Sequence, residues 1–252
     1  MVYFHVMNDC IAIFGAVKEE IAGIKRAMNI SDRVRLGKTN VWPGKWGVQN
    51  IVLVQSGVGK QRAEDSTLQV IDYFQPKALI SAGYAGAVQP ELNVGDLVIA
   101  DSILDVNGKE DRKYFPDPNW LDRARSIPCS DGIKTVVGGL LTVNTVIHQP
   151  AIKWELGKNY CVQAVEMETS AIARVAKEKG LPLLSVRAIS DRVDQELLDS
   201  SSFLGSDGEI STLKAGWYVL THPGSIKSAL SLRTQTQFAT QSMTRFLSDL
   251  LG

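Results

Sequence analysis

The sequence predicts a single α/β domain with a central mixed β-sheet flanked by helices. Two observations carry this expectation: short apolar, β-branched runs alternate with stretches of helical period, and glycine-rich turns join strand to helix. No internal repeat, low-complexity tract or linker divides the chain, so the domain is expected to span residues 1–252.

The first run, residues 11–15, ends in glycine and precedes KEEIAGIKRAM, where Ile21, Ile24 and Met28 recur at helical spacing. Residues 48–55 (VQNIVLVQ) form the next expected strand. After SGVG, residues 61–74 place Ala63, Leu68, Ile71 and Phe74 on one side of a helix. Residues 77–82 (KALISA) run into a GYAG loop, and residues 95–100 (GDLVIA) give a further strand. Residues 105–132 are polar and carry Pro116, Pro118 and Pro128, which reads as a long loop. A strand is expected over 161–165, a helix over 167–179 and another strand over 181–189, whose near-continuous apolar character suits a sheet covered on both faces. Residues 200–208 read as a mobile segment. Beyond Pro223, Ala239, Met243, Phe246, Leu247 and Leu250 mark an amphipathic terminal helix, part of a helical extension from about residue 192.

Composition excludes several classes. Lys plus Arg number 27 against 27 Asp plus Glu, so no global charge draws the chain to nucleic acid or to an anionic membrane. The three cysteines form no C-x-x-C pair and no zinc-ligand spacing with the three histidines, which favours a reducing, cytoplasmic setting without metal. The opening MVYFHVMNDC lacks the features of a signal peptide, and no apolar run approaches the ~20 residues of a membrane span.

The segment Gly57-Val58-Gly59-Lys60 looks like a nucleotide loop but satisfies neither motif. A Walker loop needs glycine where Val54 stands and Ser or Thr where Gln61 stands, and the dinucleotide pattern fails at Arg62. That segment is either a plain strand-to-helix turn or part of a small-molecule site.

Four segments taken together are more specific: GAVKEE (residues 15–20), SGVGK (56–60), SAGYAGAV with VGD (81–88, 94–96), and VEMETSAIA with RAISD (165–173, 187–191). In this order and spacing the chain resembles the nucleoside phosphorylase and nucleosidase superfamily. Within it, the resemblance is closest to the 5'-methylthioadenosine/S-adenosylhomocysteine nucleosidases and covers roughly residues 10–195. It implies an enzyme that cleaves the N-glycosidic bond of a purine nucleoside without metal or organic cofactor, as a homodimer or higher oligomer.

That chemistry passes through a sugar cation while the base departs with charge to be neutralised. The resemblance implies that Asp191, at the end of an apolar strand, is the general acid to purine N7. It further implies that Glu168 grips the ribose 2'- and 3'-hydroxyls with Met167 against the sugar, and that Glu20 orients and deprotonates the attacking water. Glu166 is expected to be structural. Tyr84 stands where the family carries a small polar residue; it could stack on the ligand, donate a hydrogen bond or fill space beside Ala85 and Gly86. Residues 140–145, including Val143, fall where nucleosidases hold adenine, but no aromatic is present there. Glu20 repels an anion, so hydrolysis is expected over phosphorolysis, although Lys18, Lys60, Arg62 and Arg187 leave phosphate open; Arg187 could equally pair with a buried acid.

The WYVLTHPG stretch (217–224) is similar to hopanoid-associated members of the superfamily, which opens a bulky, apolar 5'-substituent such as that of adenosylhopane as an alternative. A non-catalytic storage relative is the alternative of another class. Retention of Glu20, Glu168 and Asp191 argues against it.

Overall fold

A computed structural model describes residues 9–106, 111–128, 132–197 and 225–252. The strands are β1 (Cys10–Gly15), β2 (Asn29–Ile30), β3 (Val34–Leu36), β4 (Thr39–Trp46), β5 (Gln49–Gln55), β6 (Ala78–Ala87), β7 (Leu97–Val106), β8 (Asp111–Tyr114), β9 (Thr135–Thr142), β10 (Ala164–Glu166) and β11 (Leu183–Asp191). The helices are α1 (Lys18–Ala27), α2 (Lys60–Phe74), α3 (Pro118–Arg125), α4 (Pro150–Tyr160), α5 (Thr169–Lys179) and α6 (Ser225–Leu251). The chain thus forms the expected single α/β domain.

One mixed sheet runs in the order β10-β9-β7-β11-β6-β1-β5-β4-β2, with β3 on β4 and β8 on β7. Strand β6 is its spine. Its first half pairs in parallel with β1 on one side and β11 on the other, and its far end pairs antiparallel with β10, Ala87 opposite Ala164 and Gly86 opposite Val165. That last pairing closes β6, β11, β7, β9 and β10 into a ring. The sheet therefore curls at the end where the strands deliver their carboxyl-terminal residues, the end at which open α/β sheets bind ligands.

The apolar runs are continuous because their strands are covered twice. On β1, Cys10, Ala12 and Phe14 pack into one core layer with Ala63, Val70 and Phe74 of α2 and Ile172 and Ala176 of α5. Ile11 and Ile13 point the other way, towards Ile21 and Ile24 of α1 and Met243, Phe246, Leu247 and Leu250 of α6. The period-3.6 apolar face expected of the terminal helix is thus buried against the sheet. Among the described residues no helix is long and apolar enough to cross a membrane.

Several expectations are corrected. The GYAG segment is not a loop: β6 runs on through Gly83-Tyr84-Ala85-Gly86. The stretch expected to be a long loop contains the end of β7, β8 and helix α3. Pro118 starts α3 instead of breaking it, with Asp117 as N-cap accepting from the Asn119 and Trp120 amides. Pro150 opens α4 too, there without a side-chain cap bond from Gln149. Helix α5 begins at Thr169, so Met167 and Glu168 precede it and Glu168 is the N-cap residue. The segments at 200–208 and 217–224 lie outside the described residues, as do Pro223 and Cys129. Cys10 is buried and Cys161 exposed, both as free thiols.

Helix α4 sits tightly on the far end of β6: a Cβ on Gly157 would lie 2.4 Å from the Val88 carbonyl oxygen. Backbone cannot yield as a flexible side chain can. Gly157→Ala is therefore expected to destabilise the protein by about 1–3 kcal/mol in denaturant unfolding, the range for overpacking a close contact.

Candidate active site

Four carboxyl groups line one cavity of about 200 Å³ at the curled end of the sheet: Glu20, Glu166, Glu168 and Asp191. Each comes from a different local device. Glu20 stands in the first turn of α1, just after β1, and its Oε2 accepts the backbone amides of Ala16 (2.5 Å) and Val17 (3.0 Å). Its Oε1 accepts the Tyr84 amide at 2.8 Å, which ties the carboxylate to β6. Glu168 is held from the opposite side, where Oε1 accepts the Gly59 amide at 2.8 Å. The SGVG turn is thus part of the site, through its backbone and through Val58, which lines the cavity.

Asp191 is the last residue of β11, where the register against β6 slips: Ile189 pairs with Ala85, but Asp191 pairs with Gly86. Such a bulge re-aims side chains. Both Ser190 and Asp191 reach the cavity as a result, and the Ser190 hydroxyl donates to Asp191 Oδ1 at 2.6 Å. Glycine is required opposite, since a Cβ at Gly86 would stand 2.9 Å from Asp191 Oδ2. Glu20 is held at the Tyr84 amide and Asp191 stands against Gly86, so both carboxyl groups are placed by the second half of β6.

Arg187 does not line the cavity. It lies behind Gly83, 2% exposed, and its Nη2 donates to Glu166 Oε2 (2.7 Å), Thr169 Oγ1 (2.6 Å) and Ser81 Oγ (2.9 Å). A Cβ at Gly83 would come within 2.3 Å of Arg187 Nη1 and 2.5 Å of Glu20 Oε1, so only glycine lets these two groups approach across the strand. Glu166 is saturated: besides Arg187 it accepts the Thr142 and Thr169 hydroxyls and the amides of Glu168 and Thr169.

This arrangement divides the acids. Burial pushes the Glu166 carboxyl up, but the Arg187 guanidinium and the two threonine hydroxyls outweigh it and hold the group below the usual carboxylate range. Burial raises Glu20, and Arg187 with three backbone amides offsets only part of the rise. Glu168 is pushed up to about 8 by burial and then by the like charges of Glu166 and Glu20.

Of the residues expected in the site, Glu20, Tyr84, Ala85, Gly86, Val143, Met167, Glu168 and Asp191 all line the cavity. Tyr84 borders the cavity, but its hydroxyl turns away to α6, 2.5 Å from Thr240 Oγ1 and 3.2 Å from the Thr236 carbonyl. Thr145, from the stretch expected at the base, lines the cavity as well, and Val146, Ile147 and Leu197 add an aliphatic wall that sequence reasoning did not single out. It also missed Lys153, which lies behind Asp191. Of the cations considered for phosphate, Lys18 is exposed beside Glu19 and Lys60 is tied to Asp105. Among the described residues no Lys or Arg lines the cavity.

The sequence matches the phosphorylase superfamily over residues 10–211. A 5'-methylthioadenosine/S-adenosylhomocysteine nucleosidase of Listeria monocytogenes is 33% identical over 205 residues, 74% of this chain and 88% of the relative. In fold the chain is similar to the nucleosidase of the same name from Neisseria meningitidis in complex with methylthio-immucillin-A (TM-score 0.77, 21% identity, 96% of this chain and 98% of that one). The futalosine hydrolase of Helicobacter pylori is similar too (TM-score 0.77, 19% identity, 97% and 98%).

The raised Glu168 sets a stability dependence on pH. Between the ordinary carboxyl value of 4.5 and about 8 the folded state holds a proton that the unfolded chain releases, so stability falls as pH rises through that window. Glu168→Gln removes this loss. Its unfolding free energy is expected to exceed that of the wild type by on the order of 1–3 kcal/mol at pH 8.5 and to match it near pH 4.5, read from denaturant midpoints at the two pH values.

Proposed function

The chain belongs to the phosphorylase superfamily, and from that premise we propose that it hydrolyses the N-glycosidic bond of a purine nucleoside of the methylthioadenosine or adenosylhomocysteine type. The observation that carries the choice of water over phosphate is the lining of the cavity: four carboxyl groups face it and no Lys or Arg among the described residues does, Arg187 and Lys153 standing behind the acids and Arg62 against Gly57 of the SGVG turn. A phosphate dianion would find no cation facing it in this poorly solvated space, and any carboxyl that ionises there would repel it, whereas water needs no counter-charge.

The roles follow from position. Asp191, with Ser190 beside it, gives its proton to the purine as the C1'–N9 bond breaks and the bonding pair leaves with the base. Glu20, anchored to the Tyr84 amide of β6, takes a proton from the water that attacks C1'. Burial supports this use of Glu20, because a carboxylate raised towards neutrality accepts a proton more readily. Glu168 receives the two ribose hydroxyls, with Met167 against the sugar. Both hydroxyls donate to the charged form, so ribose binding favours loss of the Glu168 proton.

The aliphatic side chains of Val146, Ile147 and Leu197 suit an apolar 5'-substituent. The free thiols support a cytoplasmic enzyme. Ile152 and Trp154, exposed on α4, give apolar surface for a homodimer or higher oligomer.

Base release from methylthioadenosine is expected to proceed in phosphate-free buffer with free sugar as co-product, checked by chromatography of both products. A strict requirement for phosphate, with a sugar 1-phosphate formed, would overturn hydrolysis. Asp191→Asn is expected to lower kcat about 100-fold or more with a smaller effect on KM, and Glu20→Gln to abolish turnover while the thermal unfolding transition persists. Glu168→Ala is expected to erase the preference for ribo- over 2'-deoxyribonucleosides in kcat/KM, since the lost partner is the hydroxyl pair itself.

A further inference from the structure

Lys153 on α4 is wholly buried, at 0% exposed, and the reading above leaves it unused. Its Nζ donates to Asp191 Oδ2 at 2.5 Å, to the Arg192 carbonyl at 3.0 Å and to the Gln195 carbonyl at 3.1 Å. Three acceptors for three N–H groups is the full complement of an ammonium ion. A neutral amine has two hydrogens and would turn its lone pair on one of these oxygens. Burying an ammonium without charge compensation is costly, so the partner carboxyl and the ammonium depend on each other. The two carbonyls belong to the segment directly after Asp191, so one side chain fixes both the acid and the chain that leads away from it.

We infer that Lys153 is a positioning residue for the leaving-group proton transfer, holding Asp191 Oδ2 so that its remaining oxygen, beside Ser190, faces the base. The inference rests on the nucleosidase reading of the site and deepens it. The resting pair is an ammonium and a carboxylate; Asp191 takes up a proton from solvent as the nucleoside binds, and when that O–H bond breaks and an N–H bond forms on the purine, the negative charge returns to the carboxylate next to the ammonium. Lys153 thereby stabilises what the transfer leaves behind, and it does so without touching the substrate.

Two substrates separate this role from a structural one. A purine nucleoside needs its leaving group protonated, whereas 4-nitrophenyl β-ribofuranoside releases a stable phenolate and does not. Lys153→Met is expected to lower kcat on the purine nucleoside about 30-fold or more, with KM within about threefold, and to leave kcat on the nitrophenyl riboside within about threefold of wild type. Lys153→Arg, which keeps the charge, is expected to recover at least about a third of the lost purine activity. Equal losses on both substrates, or none on either, would overturn the inference. Where Lys153→Met fails to fold, Lys153→Gln, which drops the charge but still donates hydrogen bonds, decides: a loss confined to the purine nucleoside supports the role, and a loss shared by both or absent from both refutes it. Asp191→Asn measured on the same pair keeps the two readings apart. If it spares the purine nucleoside, Asp191 is not the acid and the site reading fails with it. If it shows the selective loss while the Lys153 variants do not, only the Lys153 inference falls.

Discussion

The ion pair between Arg187 and Glu166, closed at 2.7 Å with both side chains buried, organises the site. A single guanidinium stands among three carboxyl groups, and it is committed by geometry to one of them. The threonine hydroxyls and amides that complete Glu166 fix it as the permanent anion, so Glu20 and Glu168 are left with burial and like charge in excess of compensation. Removing one member of such a pair costs more than the pair itself contributes, because the survivor is left charged in a dry interior. The site's two adjustable acids are adjustable because their neighbour is not.

Strand β6 places these groups. It carries the Tyr84 amide that holds Glu20, the Gly83 gap through which Arg187 and Glu20 approach, and the Gly86 gap that Asp191 fills. The placement of Glu20 and Asp191 therefore follows from contacts with one strand's backbone more than from flexible side chains. The bulge in β11 supplies the one irregularity needed to bring Asp191 to that strand.

The terminal helix enters the same scheme through Tyr84. Its hydroxyl meets Thr240 of α6, and Thr240 Oγ1 lies 3.2 Å from the Glu19 carbonyl next to Glu20. A Cβ at Gly23 of α1 would fall 2.1 Å from Thr244 Oγ1, which shows how closely the two helices pack. Tyr84 thus braces α6 against the start of α1, and its backbone still serves the site.

The alternation of apolar runs with helical periods determined the α/β class, because strands covered on both faces must be apolar throughout and helices covered on one face must not. Runs such as residues 11–15 and 183–189 were legible for that reason, as was the buried face of α6. The carboxylates Glu20, Glu168 and Asp191 were legible through their motifs, each set beside a strand end. Helices α3 and α4 were hidden because Pro118 and Pro150 mark a helix start and a loop alike, and only the Asp117 cap bonds at α3 and the packing of α4 distinguish them. Nothing in the sequence around Lys153 marks it as different from a solvated helical lysine. Its burial against Asp191, 38 residues away, arises only when α4 docks beside the end of β11. The place of Arg187 behind the cavity was decided in the same way, by which of three acids the closed sheet brought within reach: sequence sets which charges exist, and tertiary packing sets which of them meet.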